Sequence, residues 1–411
     1  MKQFTLEKTL SNLNLKVTLS ASLSRERKTT GRYTMKKIQA GVIAALALVL
    51  SLTLAACGGG SDTIKIAYQG PLSGGEAQTG IDEQNAVKFA IELYNATNPE
   101  KKIELVSADD QGDGTVAAGV APGIANDESI VAVVGPAYSG ATIASLPYYK
   151  EAGMPLISPS ATKVSLTDPA AAGEFGGPVF HRIPATDKIQ GPALGKLAIS
   201  GVAAPKVFVV DDQTAYSVGL VEYLVPSLPK GALVGTDSTK NDTADFAPTV
   251  AKIKSKGANV VIYTGYYSQA AVLVKQLRDG GYKGIFAGGD GVLNSEFAVL
   301  GGAAAEGARL TGATVPLGEL SADLAAKFKE SQGVEPGVYA AESFDAANII
   351  IEAIKAGNTT RETIMAYIKS VSYVGVGGQA ISFDANGDST LGFINGFEVK
   401  AGKVVSTGAV K

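Results

Sequence analysis

Residues 130–142 read IVAVVGPAYSGAT. The first five residues are apolar and mostly β-branched, a composition typical of a strand buried on both faces of a parallel sheet. Gly135 ends this run, and a helical pattern begins at Ser139 and continues to about residue 151. A buried strand followed within a few residues by a helix predicts a βα unit.

The same alternation extends on both sides of this stretch. Further strands are predicted at residues 63–69, 103–108, 154–158, 206–211, 233–237, 259–264 and 284–287. Helical runs, in which apolar residues recur at i, i+3, i+4 and i+7, are predicted at about residues 80–95, 116–126 and 268–279. Because the pattern passes through two successive rounds, we predict an α/β fold of two Rossmann-like lobes with parallel sheets.

Small, hydroxyl, acidic and aromatic residues cluster directly after the predicted strands. Open parallel sheets bind their ligands beyond the carboxyl ends of the strands, so these clusters predict the position of a binding site. The clusters are residues 136–142, 158–162, 212–216, 265–267 and 290–291.

The single cysteine, Cys57, follows a different kind of segment. Two lysines precede a mostly apolar stretch, residues 38–56, which ends in two alanines. A positive region, an apolar region and small residues before a cut are typical of an export signal, and a cysteine at this point resembles a bacterial lipobox. The resemblance implies cleavage before Cys57 and lipidation of Cys57. A transmembrane helix is the alternative, since about 20 apolar residues span a bilayer.

The N-terminal region therefore divides into three predicted parts. Residues 1–34 are polar and basic, and Met35 resembles a start, so we interpret them as a non-native upstream extension. Residues 35–56 are the predicted signal peptide. Residues 57–61 are the lipidated cysteine and a glycine-rich, flexible tether, which favours the lipoprotein over a membrane-spanning helix.

Charge and composition exclude several classes of function. Residues 1–56 hold 9 of the 36 basic and 2 of the 39 acidic residues, which leaves 27 basic against 37 acidic, or −10. Without a basic patch, nucleic acid is not an expected partner. One cysteine and one histidine (His181) cannot form a His/Cys metal cluster. The sequence contains no phosphate loop, no Gly-x-Gly-x-x-Gly after the first strand and no serine elbow. Because these motifs would have indicated an enzyme, we expect neither enzymatic activity nor a cofactor.

An ordered set of segments resembles the periplasmic binding proteins of branched-chain amino acid ABC transporters. It opens with IKIAYQGPLSG at residues 64–74 and covers nearly all of residues 62–405. The other matching segments are residues 109–110, 135–136, 157–162 (ISPSAT), 190–192 (QGP), 263–266 (YTGY), 289–291 (GDG), 383–388 (FDANGD) and 392–393.

This resemblance implies a type I periplasmic-binding fold, with two α/β lobes joined by a three-crossover hinge and closing on the ligand. With crossovers near residues 183, 312 and 377, lobe 1 would be residues 62–183 plus 313–376. Lobe 2 would be residues 184–312 plus 377–411. The resemblance implies an exported, lipid-anchored monomer on the outer face of the membrane or in the periplasm. This monomer would bind a free amino acid and deliver it to an ABC permease. Leucine, isoleucine and valine are the leading candidates for the ligand, and other hydrophobic or small amino acids stay open.

The resemblance also implies ligand-binding residues. Positions that match Ser139, Ser160, Ala161 and Thr162 hold the α-carboxylate and part of the ammonium group in the family. Asp290 matches the acidic residue that pairs with the ammonium group. Ser139 at a helix start also suits a carboxylate on physical grounds, because free amides and the helix dipole favour an anion there.

Four tyrosines complete the implied site. Tyr266 matches a tyrosine on the ammonium group, Tyr216 a cleft tyrosine and Tyr339 an aromatic that lines the side-chain pocket, while Tyr138 lies beside Ser139. Two departures from the family concern this pocket: Thr79 stands where an aromatic residue often closes it, and Tyr138 replaces a smaller residue.

Simpler structural roles stay open for these residues. Ser139 could cap its helix, Thr162 and Asp290 could be turn residues, and the tyrosines could be packing residues. His181 is interpreted as structural, and residues 384–388 as a hairpin turn rather than a calcium loop. A sensor that contacts a receptor instead of a permease, and a binding protein for amides or other small organic acids, remain alternatives to amino acid transport.

Overall fold

The computed structural model describes residues 63–171 and 173–410. The predicted extension, signal peptide and lipidated Cys57 lie outside the described residues. Within the two described ranges, no helix combines the length and the apolar character that crossing a membrane requires.

The first sheet has five parallel strands in the order β2-β1-β3-β4-β5. These strands are β1 (Ile64–Gly70), β2 (Ile103–Asp109), β3 (Ile130–Val134), β4 (Leu156–Ser158) and β5 (Phe180–Arg182).

The second sheet has seven strands in the order β14-β13-β10-β9-β8-β6-β7. They are β6 (Val207–Asp211), β7 (Leu233–Ser238), β8 (Val260–Tyr263), β9 (Ile285–Gly288), β10 (Arg309–Gly312), β13 (Asn395–Lys400) and β14 (Lys403–Ala409). Strands β6 to β10 are parallel, whereas β13 and β14 run antiparallel at one edge. Two short strands, β11 (Tyr373–Val374) and β12 (Ala380–Ile381), pair separately.

Helices connect most of the strands. In chain order they are α1 (Ala77–Ala96), α2 (Gly114–Asn126), α3 (Ser139–Glu151), α4 (Asp187–Ile199), α5 (Ala215–Ser227), α6 (Ala247–Ser255), α7 (Tyr267–Asp279), α8 (Ser295–Gly301), α9 (Leu317–Leu320), α10 (Ala322–Gln332), α11 (Ala340–Lys355) and α12 (Arg361–Ser370).

Both faces of the first sheet are buried, because successive side chains of a strand point to opposite faces. In β1, Ile66 and Tyr68 join the core formed with α1 and α11, which includes Phe89 and Ile350. Ala67 between them joins a separate core with α2 and α3.

The second sheet is covered in the same way. In β6, Phe208 and Val210 pack into the core that contains α7, whereas Val207 and Val209 pack into the core that contains α4 and α5. Helices on both faces explain why these strands read as continuous apolar runs.

The strands and helices predicted before β10 are confirmed, with ends that differ by up to three residues. Helix α2 begins at Gly114 rather than residue 116, because the Asp113 carboxylate accepts hydrogen bonds from the amides of Thr115 and Val116 and so caps the helix. The sequence patterns do not predict strands β5, β10, β11, β12, β13 and β14. Strands β5 and β10 have only three and four residues, and β14 is largely exposed, so their apolar patterns are weak.

The strand order places two switch points in the molecule. Strands β2 and β3 flank β1, and β7 and β8 flank β6, so the order of each sheet reverses at its first strand in the chain. Connections leave on opposite sides at such a point and open a crevice beyond the strand ends.

Two connecting segments meet at a buried arginine. Arg182, at the end of β5, is fully buried and forms an ion pair with Asp388 at 2.6 Å. Its guanidinium group also donates to the carbonyl oxygens of Ala161 and Lys163 at 3.2 and 2.7 Å. Residues 384–388 form the predicted turn, in which the Asp384 amide donates to the carbonyl oxygen of Asp388. The proposed lobe boundaries near residues 183, 312 and 377 stay a prediction.

Candidate functional site

A small pocket lies where strand ends of both sheets meet. It measures about 20 Å³, roughly the space of one water molecule. We call it the inner pocket; it is lined by Thr79, Ala137, Tyr138, Ser139, Ser160, Tyr216, Tyr266, Asp290, Gly291 and Tyr339. The structure thus brings seven of the nine predicted ligand residues together, while Ala161 and Thr162 are buried but do not line the inner pocket.

Ser139 contributes a helix start to the inner pocket. It is the first residue of α3, and Tyr138 before it makes no side-chain cap hydrogen bond. The Ser139 hydroxyl accepts a hydrogen bond from the Lys163 amide at 3.3 Å, which ties α3 to the loop after β4. The positive end of a helix dipole together with uncapped amides favours an anionic group at this position.

The loop after β4 is held by serine hydroxyls. Ser160 donates to the carbonyl oxygen of Ala137 at 2.8 Å, and the Ser158 hydroxyl accepts from the Ala161 amide at 3.0 Å. Both serines are buried. These bonds fix the loop against the segment that leads into α3, so the hydroxyl-bearing residues of two strand ends lie side by side.

Asp290 lies on the opposite side of the inner pocket, after β9. One carboxylate oxygen, Oδ1, accepts from Gln190 Nε2 at 2.7 Å and from the Tyr216 hydroxyl at 2.6 Å. The other, Oδ2, accepts from the Tyr339 hydroxyl at 2.7 Å. Burial raises the pKa of Asp290, while these three hydrogen bonds favour its ionised form and limit the rise.

Asp187 is a second buried carboxyl group near this site. It is the first residue of α4, and its amide donates to the carbonyl oxygen of Thr162 at 3.0 Å. Burial and the charge of Asp290 raise the pKa of Asp187 to about 7, and the neighbouring Thr162 hydroxyl opposes this rise. No role was predicted for this residue from the sequence.

Tyrosine rings fill the space between the two sheets. The rings of Tyr138 and Tyr266 are stacked, with centroids 4.3 Å apart and planes 19° from parallel. Tyr216 packs beside Tyr266 at 5.3 Å with a tilt of 35°. Tyr138 precedes α3 and Tyr266 precedes α7, so the stacked pair joins the helix starts of the two sheets.

Hydrogen bonds cross the crevice beside these rings. The backbone amide of Gln78 donates to the Tyr267 hydroxyl at 3.1 Å, and the side-chain Nδ2 of Asn294 donates to the Thr79 hydroxyl at 3.2 Å. Ser268 donates to the Glu76 carboxyl group. The elements around the two sheets are therefore in direct contact over the inner pocket.

Sequence reasoning missed Gln190 and Asp187. Gln190 belongs to a segment that supported the family resemblance, but only the structure shows its amide on Asp290. Both side chains lie on the buried face of α4. A polar residue on the apolar face of a predicted helix needs a buried partner, and this pattern could have identified both residues from the sequence.

A larger opening adjoins the inner pocket at Tyr266. We call it the outer cleft; it has a volume of about 410 Å³ and is lined by Gly112, Asp113, Gly114, Gly140, Asp212, Gln213, Thr214, Ala215, Lys240, Asn241, Asp242 and Tyr266.

Among residues 63–171 and 173–410, no group of three or more histidine, cysteine, aspartate or glutamate side chains is arranged to hold a metal ion.

Comparison with known proteins shows which family this chain resembles. The family model described as periplasmic binding protein matches residues 63–402. The Leu/Ile/Val-binding protein homolog 2 of Brucella abortus is 30% identical over 361 residues, which cover 85% of this chain and 94% of the relative. The leucine-specific-binding protein of Salmonella typhimurium is 32% identical over 255 residues, 61% of this chain and 67% of the relative.

Solved structures share the fold. The LivJ substrate-binding protein of Streptococcus pneumoniae, in complex with isoleucine, matches with a TM-score of 0.76 and 29% identity, over 85% of this chain and 99% of that one. The leucine-binding protein LivK of Thermotoga maritima matches with a TM-score of 0.74 and 27% identity, over the same shares. These likenesses confirm the predicted fold class.

The matched family consists of solute-binding proteins rather than enzymes, which agrees with a pocket built from tyrosines, hydroxyl groups and one carboxylate. The match spans well over half of the sequence, and the relatives match over most of their own length. The chain belongs to the periplasmic binding protein family.

Proposed function

We propose that the protein captures a free amino acid in the inner pocket. The observation that carries this proposal is the pairing of unlike groups in one pocket: the uncapped start of α3 at Ser139 on one side and the Asp290 carboxylate on the other. A free amino acid is a zwitterion, so it needs donors for its carboxylate and an acceptor for its ammonium group. A carboxylate has about four acceptor positions, and Asp290 uses three of them within the protein.

In this proposal the backbone-recognition residues have separate roles. Ser139 and Ser160, which line the inner pocket, hold the α-carboxylate and part of the ammonium group. Ala161 and Thr162, which are buried next to Ser160 and do not line the pocket, would join them when the lobes open. Asp290 with Tyr266 holds the rest of the ammonium group. Tyr138, Tyr216 and Tyr339 surround the side chain of the ligand. Gln190 keeps Asp290 in place through two hydrogen bonds: its Nε2 donates to the Asp290 carboxylate, and its Oε1 accepts from the backbone amide of Asp290.

The relatives support a hydrophobic ligand and a transport role. They are named for leucine, isoleucine and valine, and the Streptococcus pneumoniae protein is described as part of a branched-chain amino acid transporter. We therefore propose that this protein delivers a hydrophobic amino acid to an ABC permease.

The proposal extends to the whole chain. The two lobes, residues 62–183 plus 313–376 and residues 184–312 plus 377–411, would close on the ligand about the three crossovers. Lipid on Cys57 would hold the monomer outside the cytoplasm, on the outer face of the membrane or in the periplasm.

Calorimetry of the purified protein with each of the twenty amino acids tests the proposal. We expect at least one hydrophobic amino acid to bind well below millimolar, and its N-acetyl derivative, which lacks the ammonium group, to bind at least about tenfold more weakly. A ligand at a hundred times its Kd stabilises the folded state by about 2.7 kcal/mol, so thermal unfolding gives an independent readout. If no amino acid binds below about millimolar, the proposal fails, and amides or small organic acids take its place.

A further inference from the structure

The apolar lining of the inner pocket is almost entirely aromatic. Apart from Ala137, its apolar surface comes from tyrosine rings, and none of the described residues that line it is a leucine, isoleucine, valine, methionine or phenylalanine. The open volume of about 20 Å³ is roughly that of one water molecule. A ligand side chain fits inside this pocket only if the rings that now touch move apart.

The rings that touch most closely come from opposite sides of the crevice. Tyr138 follows β3 of the first sheet, and Tyr266 follows β8 of the second sheet. Their planes are 19° from parallel at a centroid distance of 4.3 Å. Moving the two sheets apart would separate these rings and leave two nearly parallel faces with a flat gap between them.

A glycine packs closely against each of the two rings: Gly112 against Tyr138 and Gly291 against Tyr266. A Cβ atom added to Gly112 would lie 2.7 Å from Cδ2 of Tyr138, so no side chain fits between this backbone and the ring. A Cβ atom added to Gly291 would lie 3.1 Å from Cδ1 of Tyr266 and 2.7 Å from Cε1 of Tyr216. Each ring thus packs closely against a glycine from its own side of the crevice, so we expect each ring to move with its own sheet.

We propose, on the basis of the amino acid binding proposed above, that Tyr138 and Tyr266 clamp the ligand side chain flat between their rings. The ligands would then be amino acids with a planar aromatic side chain. A flat ring stacks on two parallel aromatic faces, whereas a branched or puckered side chain forces the faces apart and loses close contact with them.

The charges around the clamp exclude one class of side chain. Burial raises the pKa of the Tyr266 hydroxyl, and the negative charges of the nearby Asp212, Asp290 and Glu76 raise it further. The same charges would repel the carboxylate of an acidic amino acid. A neutral aromatic side chain avoids this repulsion and fills the gap.

Calorimetry with a matched pair of ligands tests the clamp. Phenylalanine and cyclohexylalanine carry the same carbon skeleton, but only the phenyl ring is flat. We expect phenylalanine to bind at least about tenfold more tightly than both cyclohexylalanine and leucine, a difference of about 1.4 kcal/mol. Because the chain contains no tryptophan, the fluorescence of bound tryptophan gives a second readout of a ligand ring stacked on tyrosine.

Two variants separate the ring of Tyr138 from its bulk. Tyr138→Leu removes the aromatic face, so we expect it to lose the preference for phenylalanine over cyclohexylalanine. Tyr138→Phe keeps the face and should keep the preference. Thermal unfolding without ligand shows whether each variant is folded. If Tyr138→Leu is unfolded, loss of the preference for phenylalanine in Tyr138→Phe would still overturn the clamp, because this variant keeps the aromatic face.

The outcomes separate the clamp from the amino acid proposal. If leucine or cyclohexylalanine binds as tightly as phenylalanine, the clamp is wrong while amino acid binding stands. Equal preferences in Tyr138→Leu and the parent protein would also overturn the clamp. If no amino acid binds, both proposals fall.

Discussion

Tyr339 donates its hydroxyl to Oδ2 of Asp290 at 2.7 Å, although the two residues belong to different halves of the inner pocket. Tyr339 precedes α11, which packs on the first sheet, and Asp290 follows β9 of the second sheet. The backbone of Tyr339 has a φ of 58°, a left-handed value that is uncommon outside glycine. The carboxylate that we assign to the ligand ammonium group is thus held from both sides of the crevice.

Replacing Asp290 by asparagine should weaken amino acid binding at least about tenfold, or about 1.4 kcal/mol. The shape of the side chain is kept, but the buried ammonium group of the ligand loses its counter-charge, which is costly. Calorimetry with the preferred amino acid measures the loss.

A des-amino analogue of the same ligand supplies the control for this variant. Its affinity should change less, because it has no ammonium group to lose a partner. Tyr339→Phe, which removes one hydrogen bond and leaves the charge, should have a smaller effect than Asp290→Asn. Unchanged amino acid affinity in Asp290→Asn would show that Asp290 is only a turn residue.

Arg182→Met should lower the free energy of unfolding by about 3 kcal/mol. The arginine is fully buried, and its removal takes the ion-pair partner from Asp388 and one donor from each of the carbonyl oxygens of Ala161 and Lys163. Because two of these acceptors belong to the loop that contains Thr162, ligand affinity should fall as well. Urea unfolding and calorimetry measure the two effects.

Lys88→Met is the matched control for Arg182→Met. The ion pair of Lys88 with Glu92 lies on the surface of α1, with both side chains about half exposed. Such a pair contributes less than about 1 kcal/mol. A similar loss of stability in both variants would contradict a special role for Arg182.

Glu342→Gln should make the free energy of unfolding less sensitive to pH between about 4.5 and 8. Burial raises the pKa of Glu342 from 4.5 to about 8, and its carboxyl group accepts from the Thr314 hydroxyl at 2.8 Å. Below pH 4.5 the group is protonated in both the folded and unfolded states, whereas above pH 8 it is ionised in both. Its stabilising contribution is therefore lost as the pH rises from about 4.5 to 8.

The difference between parent and variant measures this contribution. We expect the Glu342→Gln protein to retain more of its unfolding free energy between pH 5 and pH 9, by on the order of a few kcal/mol. Asp82 and Asp187, whose pKa values burial raises to about 7, give the parent protein a slope of the same sign that both proteins share. The exposed Glu330→Gln serves as control, and identical pH profiles for all three proteins would contradict the prediction.

Cys57→Ser should release the protein from the membrane or leave its signal uncleaved. The thiol is the proposed acceptor of a lipid, and two acyl chains are sufficient for stable attachment. Fractionation of cells and the mass of the product report the outcome. A processed, membrane-bound Cys57→Ser protein would rule out the lipid anchor.

The order of strands and helices could be predicted from the sequence because it depends on local patterns. A run such as residues 130–134 is apolar throughout because both faces of its strand are covered, and α7 repeats its buried positions with the period of a helix. The same patterns mark where strands end, which is why Ser139, Tyr266 and Asp290 could be selected as candidate residues from the sequence alone.

The contacts that shape the inner pocket depend on residues that are distant in sequence. Gln190 and Asp290 are 100 positions apart, and Tyr138 and Tyr266 meet only because their two sheets face each other. No local pattern encodes such pairings, since periodicity reports which face a side chain lies on and not what it meets there. The sequence by itself therefore determined the α/β layers and the strand ends that line the pocket. Only the tertiary structure decided which donors hold Asp290 and that the rings of Tyr138 and Tyr266 stack between the two sheets.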